Sequence, residues 1–320
     1  MRGKLFRLGL LFLILAIPVS LFVACAPPIE EPTPPVEGAK YPVEVIDQAG
    51  RAVRIEKIPE KIISLAPGNT EIVYALELED RLVGVTEYCD YPEAAKDKIK
   101  IGGFSTVDVE RVVEIMPDLI LAANIHKDEV IPELERLGLT VLTLEPKTID
   151  GVLEAINLVG KFTDKKEKAS LLTTEMKNRI KAVTDKTASL SEAQRLRVFY
   201  IVWHDPLKTM GSETRINELI VKAGGINIAQ DLAGDYPTIS LEAVIMANPQ
   251  VIIAGGGHGS GEDVPFQFAL TEPRLKDIDA RRNERIYDVD SNLTSRPGPR
   301  MVDGLEELAR LIHPEIFGSD

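Results

Sequence analysis

The sequence of 320 residues contains only two cysteines, one tryptophan and four histidines. Two cysteines cannot form the disulfide framework on which small secreted domains depend, so the stability of this chain must come from packing. The histidines, at positions 126, 204, 258 and 313, include no pair at the spacing of a metal-binding motif. A dedicated metal site is therefore not expected.

Short motifs of several enzyme classes are also absent. The sequence has no Gly-x-Ser-x-Gly, so no nucleophile elbow is indicated. The glycine-rich run 255–261 follows a strand-like segment but does not end in Gly-Lys-Ser or Gly-Lys-Thr, which favours a flexible loop over a phosphate-binding loop. No catalytic residues are assigned, and we predict that the protein is not an enzyme. A surface metal-cofactor enzyme such as a chelatase is the alternative of another class.

Positive charge is scarce as well. The chain has 37 lysines and arginines against 50 aspartates and glutamates, which gives a formal net charge of −13. Binding to phosphate backbones requires a basic stripe, which the sequence lacks, so nucleic acid is not an expected partner. The acidic balance mainly keeps the protein soluble.

The amino-terminal segment has the order of an export signal. Three basic residues precede the apolar run 8–17, and small residues lead to Cys25. This order predicts a signal peptide over residues 1–24. A membrane-spanning helix is the alternative, but Pro18 interrupts an apolar run already shorter than the roughly 20 residues that a bilayer requires.

Cys25 is the predicted attachment point for lipid. Cleavage before it resembles bacterial lipoprotein processing, in which the new terminal cysteine is lipidated, although Phe22 stands where leucine is usual. Ordinary secretory cleavage is the alternative. Residues 25–40 contain five prolines and no apolar periodicity, which predicts an extended tether. We therefore expect an extracytoplasmic body, lipid-anchored at the outer face of the cell membrane or periplasmic.

Short strand-like runs alternate with helical patterns in the remaining 280 residues or so. This alternation predicts an α/β fold with central, mostly parallel sheets, and the length suits two lobes. Residues 67–70 are interpreted as a turn that precedes a helix. The strand-like runs are Lys61–Leu65, Val141–Leu144, Val198–Val202 and Val251–Ala254.

An internal repeat supports the division into two lobes. Residues 108–122 align without gaps on residues 240–254, at an offset of 132. Each copy has a helix-capping residue, Asp108 or Ser240, a glutamate in the first helical turn, and a proline before a buried strand. Two lobes of similar construction are predicted. The alternative is that any helix-proline-strand unit of an α/β protein would look the same.

The segment 165–188 lies between the two copies. It contains neither glycine nor proline and keeps apolar residues at helical spacing, which predicts one amphipathic helix of about 36 Å. Such a helix is long enough to connect an amino-terminal lobe, residues 41–164, to a carboxyl-terminal lobe, residues 189–320, with little hinge motion. A surface helix of a single domain is the alternative.

Four motifs together resemble a known family: Ile63–Glu71, Val83–Pro92, Val107–Ala122 and Ile239–Ala254. They are similar to segments of the class III substrate-binding proteins of ABC importers, which hold cobalamin, ferric siderophores or haem between two α/β lobes joined by a long helix. The resemblance covers the chain from about Lys61 to the carboxyl end. It implies a monomer whose partners are an ABC permease and its ATPase.

The segments Tyr88–Pro92 and Trp203–Leu207 resemble the cobalamin-binding branch most, which implies cobalamin or a related corrinoid as the transported ligand. A ferric siderophore or haem is the alternative. A corrin is a broad, mostly apolar disc edged with amides, which aromatic faces and directed hydrogen bonds would suit. Two positions depart from the branch, with Ala123 where an aromatic residue sometimes stands and Asn292 at an acidic position. The implied ligand contacts are Pro67, Tyr88, Phe104, Trp203, Tyr236, Asn292 and Arg296; for the aromatic residues, ordinary core packing is the alternative.

The resemblance also implies one exposed glutamate per lobe that docks against arginines of the permease, and these match Glu110 and Glu242. The repeat independently places both at equivalent positions, as docking on a pseudo-symmetric, two-subunit permease requires. The alternative role is dipole complementarity at a helix start. For Cys89 a small buried side chain is preferred to a metal contact, and for His204 a solvated or hydrogen-bonded ring is preferred.

Overall fold

The computed structural model describes residues 41–256 and 264–318. The predicted signal peptide, the lipidation site Cys25 and the tether lie outside these residues, as does most of the glycine-rich run 255–261. Within the described ranges, no helix combines the length and the apolar character needed to cross a bilayer.

Strands and helices alternate along the described chain. The strands are β1 (Val43–Ile46), β2 (Ala52–Ile55), β3 (Ile62–Ser64), β4 (Leu82–Val85), β5 (Ile99–Lys100), β6 (Leu119–Ala122), β7 (Val141–Thr143), β8 (Leu196–Ile201), β9 (Trp203–His204), β10 (Leu207–Lys208), β11 (Gly225–Asn227), β12 (Val251–Gly256) and β13 (Ile286–Asp290). The helices are α1 (Pro67–Ala75), α2 (Val109–Ile115), α3 (Val130–Arg136), α4 (Ile149–Phe162), α5 (Lys166–Thr187), α6 (Arg215–Lys222), α7 (Leu241–Ala247), α8 (Val264–Thr271), α9 (Asp279–Arg282), α10 (Ser291–Ser295), α11 (Met301–Ile312) and α12 (Pro314–Phe317).

The strands form two separate parallel sheets. The first has the order β5-β4-β3-β6-β7 and the second the order β11-β8-β12-β13. Two antiparallel ribbons, β1–β2 and β9–β10, accompany them. The predicted α/β fold with two parallel-sheet lobes is therefore confirmed. Below, the first lobe is the chain before α5 and the second lobe the chain after it.

The internal repeat forms the same local structure in both lobes. The side chains of Asp108 and Ser240 each accept a hydrogen bond from a first-turn backbone N–H, at 3.0 and 3.1 Å, and so cap α2 and α7. Both helices end in a left-handed residue, Met116 or Asn248, ahead of the proline and the buried strand. The helix-proline-strand unit predicted from the sequence is present twice.

The predicted turn over residues 67–70 is wrong, because α1 already begins at Pro67. Proline is well suited to the first helical position, where its missing N–H would have had no partner. The turn signal of Pro67-Gly68 therefore marks a helix start. Gly68 has a packing reason, since a Cβ at this position would lie 2.8 Å from the carbonyl oxygen of Pro297.

Each central strand directs alternate side chains into two different cores. In β6, Leu119 and Leu121 face one core while Ile120 and Ala122 face another, which packs under α2 and α3. The core on the first face is shared, because it includes residues of both sheets and of α4, α5, α6 and α11. One continuous apolar core therefore joins the two lobes.

Helix α5 covers 22 residues of the predicted connecting segment, about 33 Å at 1.5 Å per residue. Its buried face contributes Ala169, Met176 and Val183 to the shared core. Beside this face Arg179 donates to Glu306 and to Asp303 of α11, with contacts of 2.6 Å. The hydrogen bond to Glu306 is the main reason why the pKa of Arg179 is raised, although burial opposes it. These contacts fix α5 against the second lobe.

Candidate ligand-binding site

The strand orders indicate the edge of each sheet where a ligand would bind. In an open parallel sheet, ligands bind outside the carboxyl ends of the strands, where the chain direction of the crossovers reverses. That reversal lies between β3 and β6 in the first sheet and between β8 and β12 in the second. The loops that follow these strands and their neighbours carry six of the seven predicted ligand residues; the seventh, Tyr236, lies in the segment paired with β10 through Thr238.

The first wall is built by the loops after β4 and β5. Tyr88 is 57% exposed, so its ring is not part of the core. Its ring edge lies over Gly103, where a Cβ would be 3.8 Å from the ring. The two loops are also joined by the hydrogen bond from Glu87 N–H to Gly102 O, 3.0 Å long. Gly102 has φ +90°, which favours glycine at the start of the tight loop that carries Phe104.

Cys89 lies underneath this wall and is buried. Its Sγ is 3.1 Å from Thr70 Oγ1 and 3.2 Å from Thr86 Oγ1. Burial raises the pKa of the thiol, while the two threonine hydrogen bonds act against that shift. Cys89 thus packs as a small buried side chain, as preferred from the sequence.

Phe104 is held from the side of β6. Its carbonyl oxygen lies 2.7 Å from Nε2 of His126, and its ring meets the imidazole edge to face at a centroid distance of 5.6 Å. His126 is buried and follows the strand end at Ala123. Burial lowers the pKa of His126, although its hydrogen bond to the Phe104 carbonyl opposes the shift.

The second wall is formed by the β9–β10 ribbon and the segment beside it. Trp203 is 40% exposed and donates its indole N–H to Asp205 O at 2.8 Å, so its only polar atom is satisfied while the ring stays accessible. The centroid of the Trp203 ring lies 5.0 Å from that of His204, and the centroid of His204 lies 6.0 Å from that of Phe268. Tyr236, from the segment that pairs with β10 through Thr238, is 57% exposed. Both lobes therefore present exposed aromatic rings beside strand ends.

Arg296 joins the two walls. It follows α10 and donates to Asp90 Oδ1 of the first lobe at 2.6 Å and to Tyr88 O at 3.4 Å. Asp90 is partly buried, which tends to raise its pKa, but the hydrogen bond and charge of Arg296 outweigh burial and hold the pKa below its ordinary value. The structure therefore brings two predicted ligand residues, Tyr88 and Arg296, into contact. It also gives Arg296 an ion-pair partner that the sequence did not indicate.

A second cross-lobe pair lies deeper. Arg300 donates to both carboxylate oxygens of Glu71 on α1, at 2.7 and 3.0 Å, and its guanidinium stacks on the ring of Tyr91 at 3.7 Å. Arg296 lies 3.6 Å from the same carboxylate. The Glu71 side chain is only 2% exposed, and this burial raises its pKa against the opposing effect of the arginines. These four residues, with Asp90, form what we call the interlobe clasp.

Arg215 makes a further bridge between the lobes. It begins α6 and donates to Pro146 O of the first lobe and to Ser295 O of the second, the latter at 2.6 Å. Burial lowers its pKa, with the nearby Tyr236 and other acidic groups acting against the shift. Glu218, one turn later, accepts from Ile149 N–H at the start of α4 at 2.7 Å.

The remaining predicted residues have simpler environments. Pro67 is the first residue of α1, next to the close contact between Gly68 and Pro297. Asn292 is the second residue of α10 and is half-buried; its backbone N–H donates to Asp290. In the parts of the chain that the structure covers, no three His, Cys, Asp or Glu side chains are grouped so that they could hold a metal ion.

Glu110 and Glu242 occupy equivalent positions on the surface. Both are exposed in the first turn of their helices, α2 and α7. Their surroundings differ, because Glu114 of α2 corresponds to Met246 of α7, which is 86% exposed. Thus two acids lie one turn apart on α2, whereas the equivalent positions of α7 hold one acid and one exposed methionine.

Sequence comparison assigns the family. A model of the periplasmic binding protein family matches residues 62–293. This chain belongs to that family. The chain is 35% identical over 282 residues to the uncharacterised ABC transporter substrate-binding lipoprotein YvrC of Bacillus subtilis, with 87% of both chains covered. It is 29% identical over 293 residues to a cobalamin-binding protein of Halobacterium salinarum, covering 88% of this chain and 79% of the relative.

Solved structures agree with the fold of this binding protein. The periplasmic vitamin B12 binding protein BtuF of Vibrio cholerae is 27% identical, with a TM-score of 0.67 over 79% of this chain and 96% of that one. The haem-binding protein RhuT of Roseiflexus sp. RS-1 is 25% identical, with a TM-score of 0.70 over 79% and 97%. The protein is accordingly a substrate-binding component of an ABC transporter, in the group that handles cobalamin, haem and siderophores. The recognised relatives are binding proteins, in keeping with a non-enzymatic role.

Proposed function

We propose that this protein captures cobalamin or a related corrinoid outside the cytoplasm and delivers it to an ABC permease. The observation that carries the proposal is the pair of aromatic walls, with Tyr88 of one lobe and Trp203 and Tyr236 of the other exposed beside strand ends. Their flat faces suit a broad, mostly apolar macrocycle. The cobalamin-binding relatives support this ligand over others.

The polar groups of the cleft suit the rim of a corrin. Arg296 and Asn292 lie on the second lobe and carry hydrogen-bond donors that match amide oxygens. Arg296 is also the residue that bridges to Asp90. A ligand between the walls would therefore contact Arg296 of the interlobe clasp and share its hydrogen-bond donors with Asp90.

Delivery requires a location and a docking surface. We propose that Cys25 carries a lipid that holds the folded body near the membrane, in line with the lipoprotein relative. Glu110 and Glu242 would then meet basic residues of the permease through charge pairing. Their equivalent positions on α2 and α7 fit a partner built from two similar halves.

Calorimetry with the purified soluble body, residues 41–320, tests the ligand. We expect cyanocobalamin and dicyanocobinamide to bind with saturable heats, and binding of neither would refute the corrinoid proposal. Enzymatic turnover of a bound metal-chelate, followed by its absorption spectrum, would instead support the chelatase alternative.

Haem or a ferric siderophore is the second candidate. Arg296 favours it, because a guanidinium pairs bidentately with carboxylates such as those of haem, and here it already pairs with a carboxylate at 2.6 Å. The haem-binding structural neighbour points the same way. Binding of haem or of a ferric chelate, together with failure of both corrinoids in the same calorimetric series, would reverse the order of the two candidates.

A further inference from the structure

His126 occupies an unusual position between two loops of the first wall. It is 1% exposed and belongs to the short turn that follows β6. One ring nitrogen bonds locally, three residues back along the chain, and the other bonds to a loop 22 residues away. The side chain is therefore both a cap of its own turn and a link to the loop that carries Phe104.

The hydrogen bonds fix the tautomer of this histidine. The backbone N–H of Ala123 donates to Nδ1 at 3.0 Å, so Nδ1 must carry a lone pair. Nε2 therefore carries the proton and donates it to Phe104 O at 2.7 Å. The lowered pKa of the buried ring agrees with a neutral imidazole.

The other hydrogen bonds of the Phe104 loop lie at its base or within it. Glu87 N–H donates to Gly102 O, Gly103 N–H bonds to Thr106 O, and Gly102 pairs with Val107. None of these contacts ties the loop to the turn that follows β6. Ala123, at the end of β6, offers only a methyl group, so the ring on this side of the wall is that of Phe104.

We infer that His126 is a positioning residue of the ligand site, which holds the Phe104 loop against the end of β6 through its Nε2–H bond to the Phe104 carbonyl. The inference rests on the proposed function and adds the residue that sets the shape of the first wall. Without the bond, the loop loses its only hydrogen bond to the turn that follows β6 among the described residues, and the backbone of Phe104 is no longer fixed to that turn.

Two substitutions separate the two bonds of the ring. The amide of glutamine extends to about the level of Nε2, so His126→Gln keeps a donor for Phe104 O. The amide of asparagine ends at about the level of Nδ1, so His126→Asn keeps an acceptor for Ala123 N–H but loses the link to the loop. Comparison of the two variants therefore isolates the cross-loop bond from the local cap.

The experiment measures hydrogen–deuterium exchange of residues 102–107 without ligand, and cyanocobalamin affinity by calorimetry. In His126→Asn we expect faster exchange of this loop and roughly fivefold weaker binding, the usual effect of one lost hydrogen bond; His126→Gln should stay near wild type in both. Wild-type exchange in the asparagine variant, or equal losses in both variants, would overturn the inference.

The exchange measurement also distinguishes this inference from the proposed function. A wild-type protein that binds no cyanocobalamin would refute the corrinoid ligand alone, because loop exchange reads the link without any ligand. Faster exchange in His126→Asn with unchanged cyanocobalamin affinity would overturn the positioning role while leaving the corrinoid proposal standing.

Discussion

Replacing Arg300 with methionine tests how much the interlobe clasp contributes to stability. The substitution keeps a long side chain for packing but removes both hydrogen bonds to Glu71, whose side chain is 2% exposed. The stack on Tyr91 is lost as well. A carboxylate is then left buried with only Arg296, 3.6 Å away, to neutralise it.

The expected cost is large because one charge of a buried pair is left behind. Removing one partner of such a pair destabilises proteins by about 3–5 kcal/mol. We expect about 3 kcal/mol here, at the lower end, because Arg296 still attracts the carboxylate of Glu71. At roughly 2 °C per kcal/mol for a body of this size, the melting temperature should fall by about 6 °C.

Thermal unfolding followed by circular dichroism and urea unfolding followed by the fluorescence of the single tryptophan measure the loss. The matched control is Arg54→Met on β2, which removes a fully exposed pair with Glu56 at 2.8 Å. The control should change stability little, because exposed pairs are screened by water. Equal and small losses in both variants would refute the reasoning.

The pH dependence of Arg300→Met gives a second check. Burial already raises the pKa of Glu71, and removal of Arg300 should raise it further. A carboxyl group whose pKa is higher in the folded state favours folding more as the pH falls through that pKa. The stability deficit should therefore shrink on acidification, and a deficit that grew instead would contradict the buried-charge explanation.

Three further predictions concern the cleft and the docking surface. Trp203→Ala should weaken binding of the captured ligand at least tenfold in calorimetry, because the substitution removes an aromatic side chain that is 40% exposed. Docking on the permease should be unchanged. Glu110→Ala combined with Glu242→Ala should leave ligand affinity unchanged and reduce uptake in reconstituted vesicles; an equal loss of ligand binding would place both residues in the site instead. Asp90→Asn should reduce stability by a constant amount above pH 5. The difference from wild type should shrink as the pH falls below the ordinary aspartate pKa of 3.8 and vanish once the pH is below the depressed pKa of the folded state, because Asp90 stabilises the protein only while it is ionised beside Arg296.

Controls for these variants come from α5. Leu171→Ala removes an exposed apolar side chain of α5, which belongs to neither wall. This variant should keep the wild-type ligand affinity. Glu175→Ala removes an exposed carboxylate without touching α2 or α7, and it should leave uptake intact. Wild-type affinity in Trp203→Ala would remove that residue from the site.

Local patterns predicted the architecture well. The capping residues Asp108 and Ser240, the prolines after each helix and the apolar runs that form the buried strands all depend on neighbours within a few residues, so the sequence shows them directly. The same holds for α5, whose helical spacing repeats along the segment. The turn at Pro67 was misread because proline and glycine signal both turns and helix starts.

The sequence by itself therefore determined the two lobes, the repeat that relates them and the long helix between them, because short-range periodicity and capping encode those features. Only the tertiary structure shows that Arg296 pairs with Asp90, that Glu71 pairs with Arg300 across 229 residues, and that His126 binds the carbonyl of Phe104. Such pairs form because folding brings strand ends of different lobes together, and no spacing along the chain records which distant charges or donors will then meet.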